Sequence, residues 1–415
     1  MAAHDSTWSA PLKFRRMILP ALAFAFTFFQ ISLAFASAPL AEKEWTFITF
    51  LNGHNSLDRN GHDNIAEMEK VGSSDDVNVV VQWASFKFKK TKRIYVRNGA
   101  YDTIEELDRV DMGDVQNLVS FVNWAIEKYP ARHYFINVWD HGTGWHFTQT
   151  DSSSKHAAPP TRISPYDISI DDVTGHAITT EELGQALERI SEKLGRKIDI
   201  YGSDACLMAM AEIMNEMKDS VEVFVGSEET EPDKGWPYGD VLRRWTALRF
   251  ASREDVAKIV VEEYFNAYSD GVYGKDDVTL SAVDLAKFDS FQTDFKNFSN
   301  YLHQLSSTQI RQIKKIARST QSFASADYKD LGDFLRRLSD KKLGLDSTAL
   351  SQMSTSLSKF VIENQVTPQY NLAQGVSIWL PTDKSDWQSY QARYQNLKFD
   401  QGTGWSQFLG RLFSN

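Results

Sequence analysis

A histidine and the only cysteine of the chain each follow closely after a predicted strand. His141 comes after the apolar run at 133–139, and two glycines within the next three residues allow the backbone to turn tightly and approach a ligand. Cys206 comes after the apolar run at 197–201. A thiol beside an imidazole can combine nucleophilic attack with proton transfer. The two residues therefore predict a hydrolase that uses a Cys–His pair.

The residues after Cys206 predict a reactive thiolate. A helical pattern begins directly after the cysteine, with Ala209, Ile213 and Met217 on one face. A cysteine at the start of a helix lies at the positive end of the helix dipole, which lowers the pKa of its thiol. The plain alternative is a buried, inert cysteine. No metal site is predicted, because one thiol and scattered histidines do not provide ligand spacing.

Strands that alternate with helices predict an α/β fold with a mainly parallel sheet of six or more strands and helices on both faces. The predicted strands are 46–51, 77–83, 133–139, 197–201, 221–227 and 279–283, with an exposed hairpin arm at 92–96. The predicted helices include 114–128, 180–194, 208–217 and 252–268. Active sites of such sheets lie beyond the carboxyl ends of the strands, which is where His141 and Cys206 are expected.

The chain is expected to hold one catalytic α/β domain at 39–284, with a helical C-terminal subdomain at 285–415 packed on it. No linker rich in Pro, Gly or Ser and no internal repeat divides the 415 residues. The C-terminal part ends with a strand-like run at 375–380 and an aromatic helix around 405–413. No chemistry is predicted for this part.

Residues 1–38 predict a signal peptide. Three basic residues precede an almost uncharged apolar stretch at 17–35, and small residues follow. The cut is expected after Ala38 or after Ala36, because Pro39 disfavours the first site. An uncleaved anchor is the alternative, since the apolar segment is long enough to span a membrane. The protein is therefore expected to be exported, either periplasmic or secreted, and to contact a membrane only if this segment stays uncleaved.

The composition excludes two classes of protein. With 42% hydrophobic and 13% aromatic residues, the chain can build a large core and is not a disordered polymer. The formal net charge is −10, and loss of 1–38, with three basic residues and one acidic residue, makes it −12. Such an acidic chain argues against a nucleic-acid surface and favours cationic partners.

The residues around both motifs resemble those of one known family. Asp140-His141-Gly142 and Asp204-Ala205-Cys206 are similar to the His and Cys motifs of clostripain-type cysteine peptidases, which share a clan with caspases, legumains and gingipains. The resemblance covers about 44–240. It also includes 45–57 with its Asn55-Ser56-Leu57 turn, Asp171-Asp172 with the helix after it, 227–232 and 235–238. The caspase form of the cysteine motif is absent, because Asp204 and Leu207 replace the residues typical there.

The resemblance implies a caspase-like three-layer sandwich and a cysteine endopeptidase that cleaves after Arg, or after Lys. Cys206 would form a thioester with the substrate, and His141 would give a proton to the leaving amine. The backbone N–H groups of Gly142 and Cys206 would hold the oxyanion. The family residue that matches Asp204 lines the primary specificity pocket, where a carboxylate pairs with a basic substrate side chain. The alternative role of Asp204 is to cap the helix after Cys206. Asp140 is expected to fix its loop rather than to orient His141.

The polar segment at 148–165 separates the two motifs. Members of the family are often cut in this region during activation, and Lys155 and Arg162 are the basic residues available for self-cleavage. The alternative is a plain surface loop. An uncut chain with full activity, identified by mass spectrometry, would count against self-cleavage.

Calcium is an open alternative rather than a required cofactor. Some members of the family depend on calcium and others do not. Asp171-Asp172 and Glu228-Glu229 could supply oxygen ligands, although paired carboxylates are more often solvated surface.

Two other functions stay open at this point. One is a non-catalytic exported binding module that has kept the fold, and the other is a hydrolase or transpeptidase of cell-envelope peptides. The expected partners of the peptidase are polypeptide substrates with basic residues, and no nucleic acid is expected. Substrate profiling separates the three functions.

Overall fold

A mixed β-sheet organises the computed structural model, which describes residues 42–146, 167–339 and 343–414. Within these residues the strands are β1 (Lys43–Gly53), β2 (Val77–Ser85), β3 (Lys90–Arg97), β4 (Ala100–Asp108), β5 (Ala131–Trp139), β6 (Ile168–Asp171), β7 (His176–Ile178), β8 (Ile198–Asp204), β9 (Val221–Gly226), β10 (Ser269–Gly271), β11 (Gly274–Lys275), β12 (Thr279–Asp284), β13 (Tyr328–Asp330), β14 (Val361–Val366) and β15 (Ser377–Trp379). The helices are α1 (Asp58–Glu69), α2 (Val115–Lys128), α3 (Thr180–Leu194), α4 (Ala211–Met217), α5 (Tyr238–Thr246), α6 (Arg253–Tyr268), α7 (Phe288–His303), α8 (Ser307–Ser319), α9 (Leu331–Leu338), α10 (Ser347–Phe360), α11 (Lys384–Tyr394), α12 (Lys398–Thr403) and α13 (Trp405–Phe413).

Nine of these strands form the main sheet in the order β14-β12-β9-β8-β5-β1-β2-β3-β4. The five central strands, from β9 to β2, are parallel. The strands at both edges are antiparallel. The predicted α/β fold with six or more strands is therefore confirmed, and the sheet is parallel in its centre and antiparallel at its edges.

Helices cover both faces of the sheet because its central strands are apolar on both sides. In β1, Ile48 and Phe50 point into the core that α2, α3 and α4 cover. Phe47 and Leu51 alternate with them and point into the opposite core, under α1, α5 and α6. All four side chains are buried, and each buried side chain of this size stabilises the fold by about 1.5–3 kcal/mol.

The C-terminal part is mainly helical and packs on the face that carries α4. Helices α7 to α13 extend the core of that face, and α12 and β15 contact α4 directly. This part also supplies β14, which pairs with β12 at the edge of the main sheet. The described residues lie in one compact unit, so the domain boundary at 284/285 stays a prediction.

The expected signal peptide at 1–38 lies outside the described residues. Among the helices of the described ranges, none combines the length and the apolar character that a membrane crossing requires.

Helix α3 carries a capping box that offers a test of the fold independent of the site. The Glu182 N–H donates to the Thr179 hydroxyl at 3.2 Å, and the Thr179 N–H donates to the Glu182 carboxylate at 3.0 Å. Thr179→Ala leaves an N–H at the helix start unpaired, and is expected to lower the free energy of unfolding by about 1 kcal/mol. Urea unfolding followed by circular dichroism measures this loss. Thr355→Ala makes the same change at an exposed position inside α10 and should not lower the free energy of unfolding. An equal loss in both variants would contradict the stabilising role of the Thr179 cap.

Candidate active site

The pairing of β5 with β8 brings His141 and Cys206 side by side. The strands are parallel, and Trp139 lies opposite Asp204 at the point where both strands end. The Asp140 N–H donates to the Asp204 carbonyl at 3.2 Å and extends the pairing by one residue. His141 and Cys206 each follow two residues after the paired position, and both line one cleft.

The two predicted oxyanion donors are adjacent in the structure. A Cβ atom on Gly142 would lie 2.5 Å from the Cys206 carbonyl oxygen and 3.1 Å from the Cys206 nitrogen. No larger residue fits there unless the backbone shifts. The Gly142 N–H also donates to the Cys206 sulfur. A glycine at position 142 therefore allows two backbone N–H groups to approach the thiol together.

The expectation of a helix directly after Cys206 is wrong. Leu207 has a φ of +65°, in the left-handed region, and α4 begins only at Ala211. The segment between them is held by backbone bonds to other parts of the chain, since the Ala209 N–H donates to Ser227 and the Ala209 carbonyl accepts from Ser377. These bonds replace the helical ones, so Cys206 does not lie at a helix start.

The prediction that the pKa of the Cys206 thiol is lowered is also wrong for this structure. Burial raises the pKa of the Cys206 thiol to about 12. The Glu231 N–H donates to the sulfur at 3.3 Å and the Gly142 N–H also donates to it, and both bonds favour the thiolate, but the nearby Glu231 and Glu229 carboxylates oppose it. The thiol is therefore protonated at neutral pH, and attack on a carbonyl requires a base to remove its proton.

His141 is oriented by a residue that the sequence did not single out. The Ser56 hydroxyl lies 2.9 Å from Nε2 of His141 and fixes the rotation of the imidazole ring. Ser56 belongs to the Asn55-Ser56-Leu57 turn, which was noted for its resemblance to the clostripain family but given no role. The hydroxyl of Ser56, between the Asn and the Leu of that turn, is the feature of the sequence that could have indicated this role.

Asp140 fixes the loop around His141, as expected. Its carboxylate accepts from the side-chain amides of Asn52, at 2.8 Å, and of Asn55. Both amides also donate to the Ile170 carbonyl, at 3.0 and 2.9 Å. Burial raises the pKa of Asp140 strongly, because its charge is removed from water. Asp140 thus ties the loop after β1 to the end of β5.

Asp204 lines the same cleft as Cys206 and caps no helix. Its carboxylate accepts from the Trp236 N–H at 3.2 Å and from the Tyr238 hydroxyl at 2.5 Å, while Met210 occupies the N-cap of α4. The alternative role as a helix cap is therefore wrong. Burial raises the pKa of Asp204 to about 6, although the bonds from Tyr238 and Trp236 lower it.

A second carboxylate, Glu231, lies beside Asp204 in the cleft. Its side chain is buried, and neither oxygen accepts a hydrogen bond of ordinary geometry from the described residues. Burial and then the charge of Asp204 raise the pKa of Glu231 well above its usual range. Sequence reasoning quoted Glu231 only within the segment 227–232. Its position beside the cleft depends on the path of the chain after β9, which brings residue 231 back to the end of β8.

The carboxylate pairs that were considered for calcium do not line this cleft. Lys155 and Arg162 lie outside the described residues. Asp171 accepts from His54, and Glu228 accepts from the Gly375 N–H. Within the ranges that the structure covers, no three His, Cys, Asp or Glu side chains are arranged to hold a metal ion. In that part of the chain, neither carboxylate pair is joined by a third side chain of those types to hold a metal ion.

Comparison with known proteins identifies the relatives of this fold. A model of the clostripain family, Peptidase_C11, matches residues 49–411. No curated protein sequence matches the chain.

Solved structures cover nearly the whole chain. An inactive zymogen C11 protease from Parabacteroides distasonis is 16% identical, with 87% of this chain and 98% of that chain covered and a TM-score of 0.67. A secreted C11 cysteine protease from Bacteroides thetaiotaomicron, iotapain, is 16% identical, with 87% and 99% covered and a TM-score of 0.67. A secreted C11 cysteine protease from the same organism, in complex with an irreversible peptide inhibitor, is 20% identical, with 88% and 99% covered and a TM-score of 0.65. These likenesses show the fold, and the predicted caspase-like architecture is confirmed.

The protonated thiol of Cys206 gives a testable pH dependence. Since its pKa is raised to about 12, the thiolate fraction should grow about tenfold for each pH unit across the range from 7 to 10. The rate of Cys206 alkylation by iodoacetamide is therefore expected to rise through this range without a plateau. Glutathione, measured in parallel, should level off above about pH 9, because a free thiol has a pKa near 8.5. A plateau for Cys206 below pH 8 would mean that the thiolate forms readily, and would contradict the effect of burial.

Proposed function

The chain belongs to the clostripain family and is a cysteine peptidase, and we propose that it is an exported endopeptidase that cleaves after Arg and, as a second choice, after Lys. Cys206 is the nucleophile and His141 the acid and base. The observation that carries the proposal is the shared cleft, in which a thiol, an imidazole and the buried carboxylate of Asp204 meet.

The chemical step begins with a protonated thiol. His141 takes the proton of Cys206 as the sulfur attacks the scissile carbonyl, and it then gives the proton to the leaving amine. The product is a thioester on Cys206, which water hydrolyses with His141 as the base. The backbone N–H groups of Gly142 and Cys206 stabilise the oxyanion, and a single donor of this kind is worth roughly 3 kcal/mol in other hydrolases. Ser56 holds the imidazole in the orientation that both proton transfers need.

Two buried carboxylates favour a cationic side chain in the specificity pocket. Asp204 and Glu231 both have raised pKa values, so the pair retains a proton near neutral pH. A guanidinium or ammonium group lowers both pKa values when it enters, and the proton leaves as the ion pair forms. An uncharged side chain would leave the two carboxyl groups to share that proton, without the ion pair that a cation forms with them in a buried site. Arg is preferred over Lys, because its planar group can bind two carboxylate oxygens at once.

Export is proposed on the N-terminal sequence. The basic residues, apolar stretch and small residues of 1–38 form the pattern of a signal peptide. One similar solved structure is described as a secreted C11 cysteine protease, which supports the proposal. A periplasmic and a secreted location are both compatible with this pattern.

A panel of peptide-amide substrates tests the proposed activity. The substrates end in Arg, Lys, Asn, Asp or Leu before the cleaved bond, and the mature protein is compared with Cys206→Ala. Turnover is expected for Arg and Lys only, and it should be abolished in the variant because no other thiol can replace Cys206.

The panel also separates the other functions. Turnover of Leu or Asn substrates that depends on Cys206 would keep the peptidase and remove the proposed specificity. Binding of peptides without turnover, under reducing conditions and with or without calcium, would favour a binding module. Cleavage or transfer of cell-envelope peptides alone would favour the envelope enzyme.

The acidic pair can be tested by neutral variants of equal size. Asp204→Asn and Glu231→Gln should each lower kcat/KM on Arg substrates by a factor equivalent to about 2–5 kcal/mol, because each leaves a buried cation with one partner fewer. Most of the loss is expected in KM, since the reacting atoms are untouched. The rate of Cys206 alkylation is measured in parallel, and Glu231→Gln is expected to raise it, because the Glu231 carboxylate opposes the thiolate. Glu188→Gln, an exposed change on α3, should leave all values unchanged; equal losses in all three variants would contradict the role of the pair.

A further inference from the structure

The turn that follows His141 is held by residues from the C-terminal part of the chain. We call residues 142–146 the histidine turn; it begins with Gly142, the proposed oxyanion donor. Two of its contacts are made with the start of β6 and the residue before it, since Gly142 bridges to Ile168 and the Thr143 N–H donates to the Asp167 carbonyl at 2.9 Å. Further contacts come from residues after 320, among them Tyr328 and Arg393.

Tyr328, in β13, contacts the backbone of the histidine turn at three atoms. Its hydroxyl lies 2.8 Å from the Thr143 carbonyl oxygen and 2.6 Å from the His146 carbonyl oxygen. It also accepts from the His146 N–H at 3.2 Å. The ring rests against Gly144, where an added Cβ would lie 2.4 Å from the ring and where φ is +72°. One buried phenol thus fixes both ends of residues 143–146.

Trp145 anchors the same turn in an aromatic pocket. Its ring is fully buried, with centroids 5.0 Å from Trp379 and 5.1 Å from Tyr394. His146 stacks on Tyr390 with centroids 4.2 Å apart. Apart from the turn itself, all of these rings belong to the C-terminal part, so the apolar half of the turn is packed by it.

Arg393, in α11, adds an ionic anchor. Its guanidinium donates to the Trp145 carbonyl oxygen and to the fully buried Asp167, the nearest distance to Asp167 being 2.6 Å. It also donates to Glu181, at 2.7 and 3.1 Å. Since Asp167 itself accepts the Thr143 N–H through its carbonyl, Arg393 restrains the histidine turn directly and through Asp167.

We propose that Tyr328 and Arg393 are positioning residues of the active site, which hold the histidine turn so that His141 and the Gly142 N–H face Cys206. This proposal rests on the proposed function for its catalytic consequence. The contacts are made to backbone atoms of the turn, and the position of a peptide group is set by the bonds of its N–H and carbonyl. The C-terminal part therefore completes the catalytic site instead of only packing against it.

Tyr328→Phe tests the proposal with the smallest change, because it removes the hydroxyl and keeps the ring. With active sites titrated by an irreversible peptidyl inhibitor, kcat per active site is expected to fall about tenfold, since a displacement below 1 Å in the reacting groups lowers the rate of the chemical step. KM should change less than about twofold, because the carboxylates of the specificity pocket are not touched. Arg393→Lys keeps the charge but loses the two-point bonds, and should show a smaller loss than Arg393→Met.

Hydrogen exchange supplies a readout that does not depend on activity. Amides of Thr143 and His146 are expected to exchange faster in Tyr328→Phe, with no change at α1 or α6. Tyr301→Phe is the matched control, since its hydroxyl accepts from the Asp346 N–H at 2.6 Å, away from the turn. That variant should match the wild type in kcat and in exchange of the turn.

The outcomes separate this proposal from the proposed function. A wild type that hydrolyses no substrate removes the proposed function, while faster exchange confined to the turn still supports the positioning role. Unchanged exchange in Tyr328→Phe overturns the proposal. Faster exchange with unchanged kcat per active site overturns it as well, because Tyr328 then only stabilises the fold. If Tyr328→Phe does not fold, the same two measurements on Arg393→Lys decide.

Discussion

The parallel pairing of β5 with β8 is the constraint on which the site depends. Both strands end at the same level, with Trp139 opposite Asp204, and His141 and Cys206 each follow two residues later. A slip of two residues would keep every side chain on its face of the sheet but would separate the imidazole from the thiol by about 7 Å more. The two cores on either side of the sheet prevent such a slip, because every central strand is buried on both faces.

Burial is the second constraint, and it acts on several ionisable groups at once. The cleft raises the pKa of Cys206, Asp204 and Glu231 together, because each charge would be removed from water. A site of this kind is neutral or weakly charged until a ligand enters it. The same low polarity strengthens the bonds from backbone N–H groups to a developing oxyanion.

Local sequence patterns predicted the centre of the fold and the position of the thiol and the imidazole. The apolar runs of β1, β2, β5, β8, β9 and β12 were visible because these strands are buried on both faces. The edge strand β14 is only half-buried and mixes polar with apolar residues, so its pattern is weak. The helix after Cys206 was expected too early, because bonds from Ala209 to Ser227 and Ser377 override helical spacing. Glu231 and Tyr328 could not be assigned, since their roles depend on contacts between distant parts of the chain.

The contacts of Arg393 also determine when, during synthesis of the chain, the active site can be completed. Arg393 follows Trp145 by 248 residues, so a growing chain contains the histidine, the cysteine and their strands long before the guanidinium that holds the histidine turn. A partly made chain therefore has the reactive groups without the support that aligns them. Assembly of the active site therefore waits until nearly the last helices of the chain have been made.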